Sequence, residues 1–203
     1  MKLVLLSGVL LAGFTTIAAG APRTLDPDWP CQQVKVSELS VASYWNGSAV
    51  DPATANWQDD RTVAALVGGI TQRRLPMDEA TRRIADFAKA SNTDKDRALR
   101  LVFAGVFDVL SRERETVMEG LDRFGRRQKA LAANLRQEFA DLRSAQAATP
   151  PDEAKISALT QRLQWDQQFF ETRRQSLSFA CDVPTAIEQR LYGLAQAIQA
   201  NLG

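Results

Sequence analysis

The side chains best suited to covalent chemistry in this sequence are two cysteines, Cys31 and Cys181, about 150 residues apart. Neither belongs to a Cys-x-x-Cys pair, the arrangement that lowers a thiol's pKa and makes it redox-active. Trp29-Pro30 precedes Cys31 and Asp182-Val183-Pro184 follows Cys181, so proline stiffens the chain beside both. In an oxidising compartment such an even pair forms a structural disulfide. Closing a loop of that length would stabilise the fold by about 5 kcal/mol in the chain-entropy model.

Histidine is missing altogether. The commonest general base and the usual zinc or copper ligand are therefore unavailable. No serine sits in a Ser-x-x-Lys setting, and Gly68-Gly69 lacks the Lys-Ser/Thr that completes a phosphate-binding loop. Carboxylates are plentiful but ordinary in context. Glu113, Glu115 and Glu119 stand among Arg112, Arg114 and Arg123, as on a solvated helix. Asp59-Asp60 suits a helix start. Asp26 and Asp28 around Pro27 supply too few oxygens for a calcium loop. A peptidoglycan-acting enzyme with one glutamate as general acid would need a Glu-Ser pair, and Glu38-Leu39-Ser40 interposes a leucine. The chain thus reads as non-enzymatic, with no catalytic residue, metal ligand or cofactor expected.

Aromatic residues are the remaining candidates. Trp29, Tyr44, Trp45 and Trp57 crowd the first third, and Trp165, Phe169 and Phe170 lie far downstream. Core packing is the ordinary role for such rings. The sharper expectation makes Trp45, Trp165 and Phe169 exposed anchors for a partner protein. A third reading places Phe87, Phe103, Phe107 and Trp57 around a cavity for a small apolar ligand or lipid.

The elements that must position these residues begin with an address. Met1-Lys2, the apolar run Leu3 to Ala12 and the small residues Ala18-Ala19-Gly20 read as a cleaved signal peptide over 1–20, too short in its apolar stretch to span a bilayer. Export to the periplasm or beyond follows. The sequence holds 25 basic and 24 acidic residues, and losing Lys2 balances them. A neutral chain argues against nucleic acid as a partner. The local run Arg123, Arg126, Arg127, Lys129 reads as a solvated helix face.

Residues 21–203 then form one all-α domain. The segment from Ala21 to about Asp51 is irregular, with a short extended piece at Val34 and Val36, and should lie across the helices. Asp51-Pro52 opens a helix through Trp57, Val63, Val67 and Ile70. Pro76 begins a second helix, ending near Ser91-Asn92. Thr93-x-x-Asp96 caps a third, whose Leu99, Val102, Phe103, Val106, Phe107 and Leu110 are dense enough for burial on most sides.

Beyond Ser111 the apolar residues fall into a seam: Val117, Leu121, Phe124, Gln128, Leu131, Leu135, Glu138, Leu142. Thr149-Pro150-Pro151-Asp152 makes a turn, and Ile156, Leu159, Leu163, Asp166, Phe170, Arg173 and Leu177 return on a similar seam. Pro184 starts a last helix through Ile187, Leu191, Leu194 and Ile198. The expected architecture is a helical base with a long antiparallel coiled-coil hairpin projecting at about 112–178, stapled by the Cys31–Cys181 disulfide. Arms of about 30 residues would reach roughly 45 Å. The functional expectation is a periplasmic interaction or adaptor protein that binds another envelope protein through the hairpin, with no integral membrane segment after processing. The same seams could serve a homo-oligomer.

Overall fold

The computed structural model describes residues 26–91 and 94–203; the expected signal peptide and the expected cap at Thr93 lie outside them. Among the described residues there are four α-helices and no strand: α1 Arg61–Ile70, α2 Met77–Ala90, α3 Lys95–Ala147 and α4 Glu153–Gln199. The Cys31–Cys181 disulfide is formed, with its Cα atoms 5.6 Å apart.

Helix α1 opens at Asp60, not at Asp51. The Asp60 carboxylate accepts hydrogen bonds from the Thr62 and Val63 amides and from the Thr62 hydroxyl, satisfying donors that a helix start leaves without partners. Asp51 uses its oxygens differently, on the Ala53 amide and the Thr54 hydroxyl, and makes a local turn. Asn56 then takes a left-handed conformation, φ 44°, before the single turn Trp57–Asp59. Helix α2 begins after Pro76 and carries Asp78 and Glu79 in its first turn, where the macrodipole favours negative charge.

Helices α3 and α4 dominate. At 53 and 47 residues they are about 80 and 70 Å long, and they pack antiparallel along their length. Three contacts give the register: Arg114 with Glu188, Gln128 with the Phe170 carbonyl, and Arg162 with Glu138. On α4 the expected returning seam matches the less exposed line, with Leu163 buried and Ile156, Leu159, Asp166, Phe170, Arg173 and Leu177 half-buried. On α3 the buried line is Arg114, Met118, Leu121, Gly125, Leu135, Glu138 and Ala145. The expected seam residues Val117, Phe124, Gln128, Leu131 and Leu142 are half-buried, with Phe124 under Arg173 of α4, while Gly125 is buried on another side, beneath the N-terminal segment.

The base and the hairpin are not separate helices. Helix α3 runs from the core straight into the first arm, and α4 passes through Cys181 and Pro184 without a break. Pro184 was expected to start a new helix, since it lacks an N–H and removes one rung of the hydrogen-bond ladder. The helix nonetheless runs on through it, with Pro184 buried and the nearby Cys181 carbonyl accepting a bond from Gln33 Nε2 at 2.5 Å.

The core sits at the closed end. Val63, Val67, Ile70, Ile84, Leu99, Val102, Phe103, Val106, Leu110, Ile187, Leu191, Leu194 and Ile198 are fully buried there. Trp45 stacks on Phe103 with centroids 4.3 Å apart, and Tyr44 meets Phe107 edge-on at 6.2 Å. Gly105 is required by this packing: a Cβ there would lie 2.8 Å from Trp57 Cδ2 and from Val67 Cγ2.

The irregular segment 26–50 is a strap that runs against α3 in the opposite direction. Its backbone is pressed so close that a Cβ on Gly125 would fall 1.9 Å from the Asp28 carbonyl oxygen. Lys129 pairs with Asp28 at 3.0 Å, and Lys35 bridges Asp122 and Asp26 at 2.7 and 2.6 Å. Val34 and Val36 form no strand, and their side chains point to solvent. The Val36 backbone is what the fold uses, accepting from Arg114 Nη2 at 2.6 Å.

Candidate docking surface of the hairpin

Above the strap, among the described residues, α3 and α4 pack only on each other. Leu135, Glu138 and Ala145 on α3 and Leu163 on α4 are the buried residues of that stretch. An uncovered two-helix rod holds one narrow seam and leaves most of its circumference to solvent.

The candidate aromatic anchors part company here. Trp45 is only 6 % exposed, with its Nε1 donating to the Ser48 carbonyl at 2.8 Å; it belongs to the core and offers no surface anchor. Trp165 and Phe169 stand one turn apart on the free side of α4, 72 % and 46 % exposed. With Gln168 and Thr172 they border a shallow depression of about 160 Å³. Helical spacing places both rings next to the seam, and the exposure expected of them is present at Trp165 and Phe169 and missing at Trp45. Phe179 is 78 % exposed on the same helix and carried no sequence signal of its own.

Polar groups lie inside the hairpin where leucines would be ordinary. The Glu138 carboxylate receives Arg162 Nε at 2.7 Å through one oxygen, and its other oxygen is buried without a partner. Gln128 donates to the Phe170 carbonyl at 3.1 Å. The Arg173 guanidinium covers the Phe124 and Phe169 rings at 4.8 and 5.3 Å, a cation–π arrangement that screens the seam from water. Such pairs favour one register of two arms over its neighbours.

Two arginines are structural, Arg114, which the sequence placed on a solvated helix face, and Arg190. Arg114 is 4 % exposed and joins three elements, bonding Glu188 of α4 and the Val36 and Ser37 carbonyls of the strap. Arg190 is 8 % exposed and contacts no carboxylate; it donates to the Ile70 carbonyl at 2.6 and 3.1 Å and to the Leu75 carbonyl at 2.9 Å. Burial pulls its pKa below the usual arginine value, with Glu113 opposing that shift. The charge persists because the guanidinium is so basic, and it faces the negative end of α1. In the basic run on α3, Arg126 and Lys129 face Asp28 of the strap and Arg123 pairs with Glu119 along the helix.

The other sequence candidates lie apart. Glu38 is exposed on the strap. Phe103 is fully buried with Trp45 stacked on it, Trp57 packs on Gly105, and Phe87 lines a separate open cleft near the start of α1. Among the described residues no three Asp, Glu or Cys side chains converge as around a metal ion, and no helix is long and apolar enough to cross a membrane.

No protein-family model, curated protein or solved structure matches this chain.

Proposed function

We propose that this chain is an exported, non-enzymatic interaction protein that binds another envelope protein through its helical hairpin. The observation that carries the reading is the exposed pair Trp165 and Phe169 on a rod that no other element covers among the described residues. Large rings left in water are a cost that binding would remove, and tryptophan is the residue most enriched at interface hot spots. The hairpin is also well built for the task. Its two helices continue into the core without a joint, so the arms are held at a fixed angle and little order remains to be lost on binding.

Export is supported by the disulfide, since such bonds persist outside the reducing cytosol. Intact mass of the native product tests it: the expected N-terminus is Ala21, with both thiols unreactive before reduction. Docking is tested by recovering partners with the full protein and with a shortened hairpin lacking 130–143 and 156–169. That deletion removes two heptads from each arm and keeps both register and turn. The expected result is loss of the partner with the helical signal of the base retained. Equal recovery from both proteins would refute the reading.

A further inference from the structure

Helix α4 carries a second seam beside the one that faces α3. Trp165, Phe169, Thr172, Ser176, Phe179, Val183, Ile187, Arg190, Leu194 and Ile198 recur at steps of three and four, the spacing that keeps side chains on one helix face. Its lower half is covered. Ile187, Leu194 and Ile198 are fully buried, and Arg190 grips the carbonyls of the α1–α2 turn. A Cβ on Gly193, next to this line, would lie 2.9 Å from Met77 Cε of α2. The upper half is bare, with Trp165 72 %, Phe169 46 % and Phe179 78 % exposed.

We propose that the upper half of this seam seats an amphipathic helix of the partner protein, end to end with α2 along α4. The inference rests on the docking role of the hairpin and names what docks. The same face that takes a helix of this chain at the base continues past the α1–α2 turn, and Trp165 to Phe179 spans about 21 Å, four helical turns. Helix α2 shows what the face accepts: it buries Ala80, Ile84 and Ala88, small and aliphatic residues that let a ridge enter the neighbouring groove. The incoming helix should present the same pattern, recognised by recurrent anchors at i, i+3, i+4 and i+7.

Charge supports a protein helix over an anionic surface. Residues 130–178 carry six basic and six acidic side chains, and Gln161, Gln168 and Gln175 follow one edge of the bare stripe, so the surface has no field that would select one sign. Area speaks against a stable dimer on this stripe. Three partly exposed rings bring on the order of 400 Å² per copy, about half of what each side of a standard interface buries. A reversible helix contact is what remains.

The test uses the full disulfide-bonded protein in its native compartment, with a photoreactive benzophenone side chain at Thr172 or, for comparison, at Ala133 on α3. The expected result is an adduct from Thr172 alone, mapped by mass spectrometry to a helix whose apolar residues recur every three or four positions. Combining Trp165→Ser with Phe179→Ser should lower its yield at least tenfold. Both residues are exposed, so the circular dichroism and Tm of that variant should match the parent protein. An adduct with a second copy of this chain, an adduct with a non-helical segment, or no adduct at all would each overturn the proposal. If the shortened hairpin loses the partner while Thr172 gives no adduct, only this inference fails. If the shortened hairpin recovers the partner in full, the docking role itself fails.

Discussion

Gly125→Ala separates the strap's contribution from that of the helix beneath it. The added methyl would stand 1.9 Å from the Asp28 carbonyl oxygen, where ordinary contact begins near 3.4 Å, so backbone must retreat by about 1.5 Å to restore normal packing. It has little freedom to do so. Cys31, three residues on, is bonded to Cys181, Pro27 and Pro30 restrict the chain on either side, and Trp29 Nε1 holds the Gln33 carbonyl at 2.7 Å. Overpacking of this kind costs about 1–3 kcal/mol. Opposing it, alanine favours a helix interior over glycine by about 1 kcal/mol. The oxidised protein should therefore lose up to about 2 kcal/mol net. In a Cys31→Ser/Cys181→Ser background the first residues of the strap can lift away, and the same substitution should become neutral or stabilising by up to about 1 kcal/mol. Urea unfolding of the four proteins, followed by circular dichroism, gives the coupling as the difference between backgrounds. Equal shifts in the two backgrounds, or a stabilised oxidised protein, would refute the close-approach argument.

Arg190→Met should keep the packing volume but strand the Ile70 and Leu75 carbonyls, with a loss of about 2–4 kcal/mol; Arg190→Lys should recover only part of this, because one ammonium cannot reproduce the guanidinium fork. A loss below 1 kcal/mol in thermal unfolding would show that water replaces the guanidinium. Cys31→Ser/Cys181→Ser alone should lower stability by up to about 5 kcal/mol while α3 and α4 stay helical, as chemical denaturation and circular dichroism would report. Asp60 is held below its usual 3.8 by the Thr62 hydroxyl and the Val63 and Thr62 amides. Its contribution is thus complete above 3.8 and fades as pH falls through the lowered folded value. Asp60→Asn should flatten the acid side of the stability–pH curve, and an unchanged slope below pH 4 would remove Asp60 from the acid response.

Local pattern carried most of the helical architecture. Apolar residues at Leu99 to Leu110, proline and capping groups before α2 and α4, and the seam from Ile156 to Leu177 are properties of neighbouring residues, and neighbours decide whether a helix forms and which face it buries. The disulfide was legible for a similar reason, since two cysteines allow one intramolecular pairing. The α1 boundary was misplaced because Asp51 and Asp60 are both competent caps by residue type, while in the fold Asp51 closes a local turn and Asp60 receives the amides of the helix start.

Long-range partners account for what local pattern could not give. Arg114 and Arg190 have the composition of surface residues and are buried because carbonyls of distant segments receive them. Pro184 stays inside α4 under cover from neighbouring elements, and Gly125 matters only because the strap crosses it. Trp45 and Trp165 are the same residue type with opposite fates, one stacked on Phe103 and the other in solvent. Sequence thus determined which segments coil and which faces are greasy; the tertiary structure decided which of those faces found a cover, because burial is settled by groups brought together from far apart in the chain.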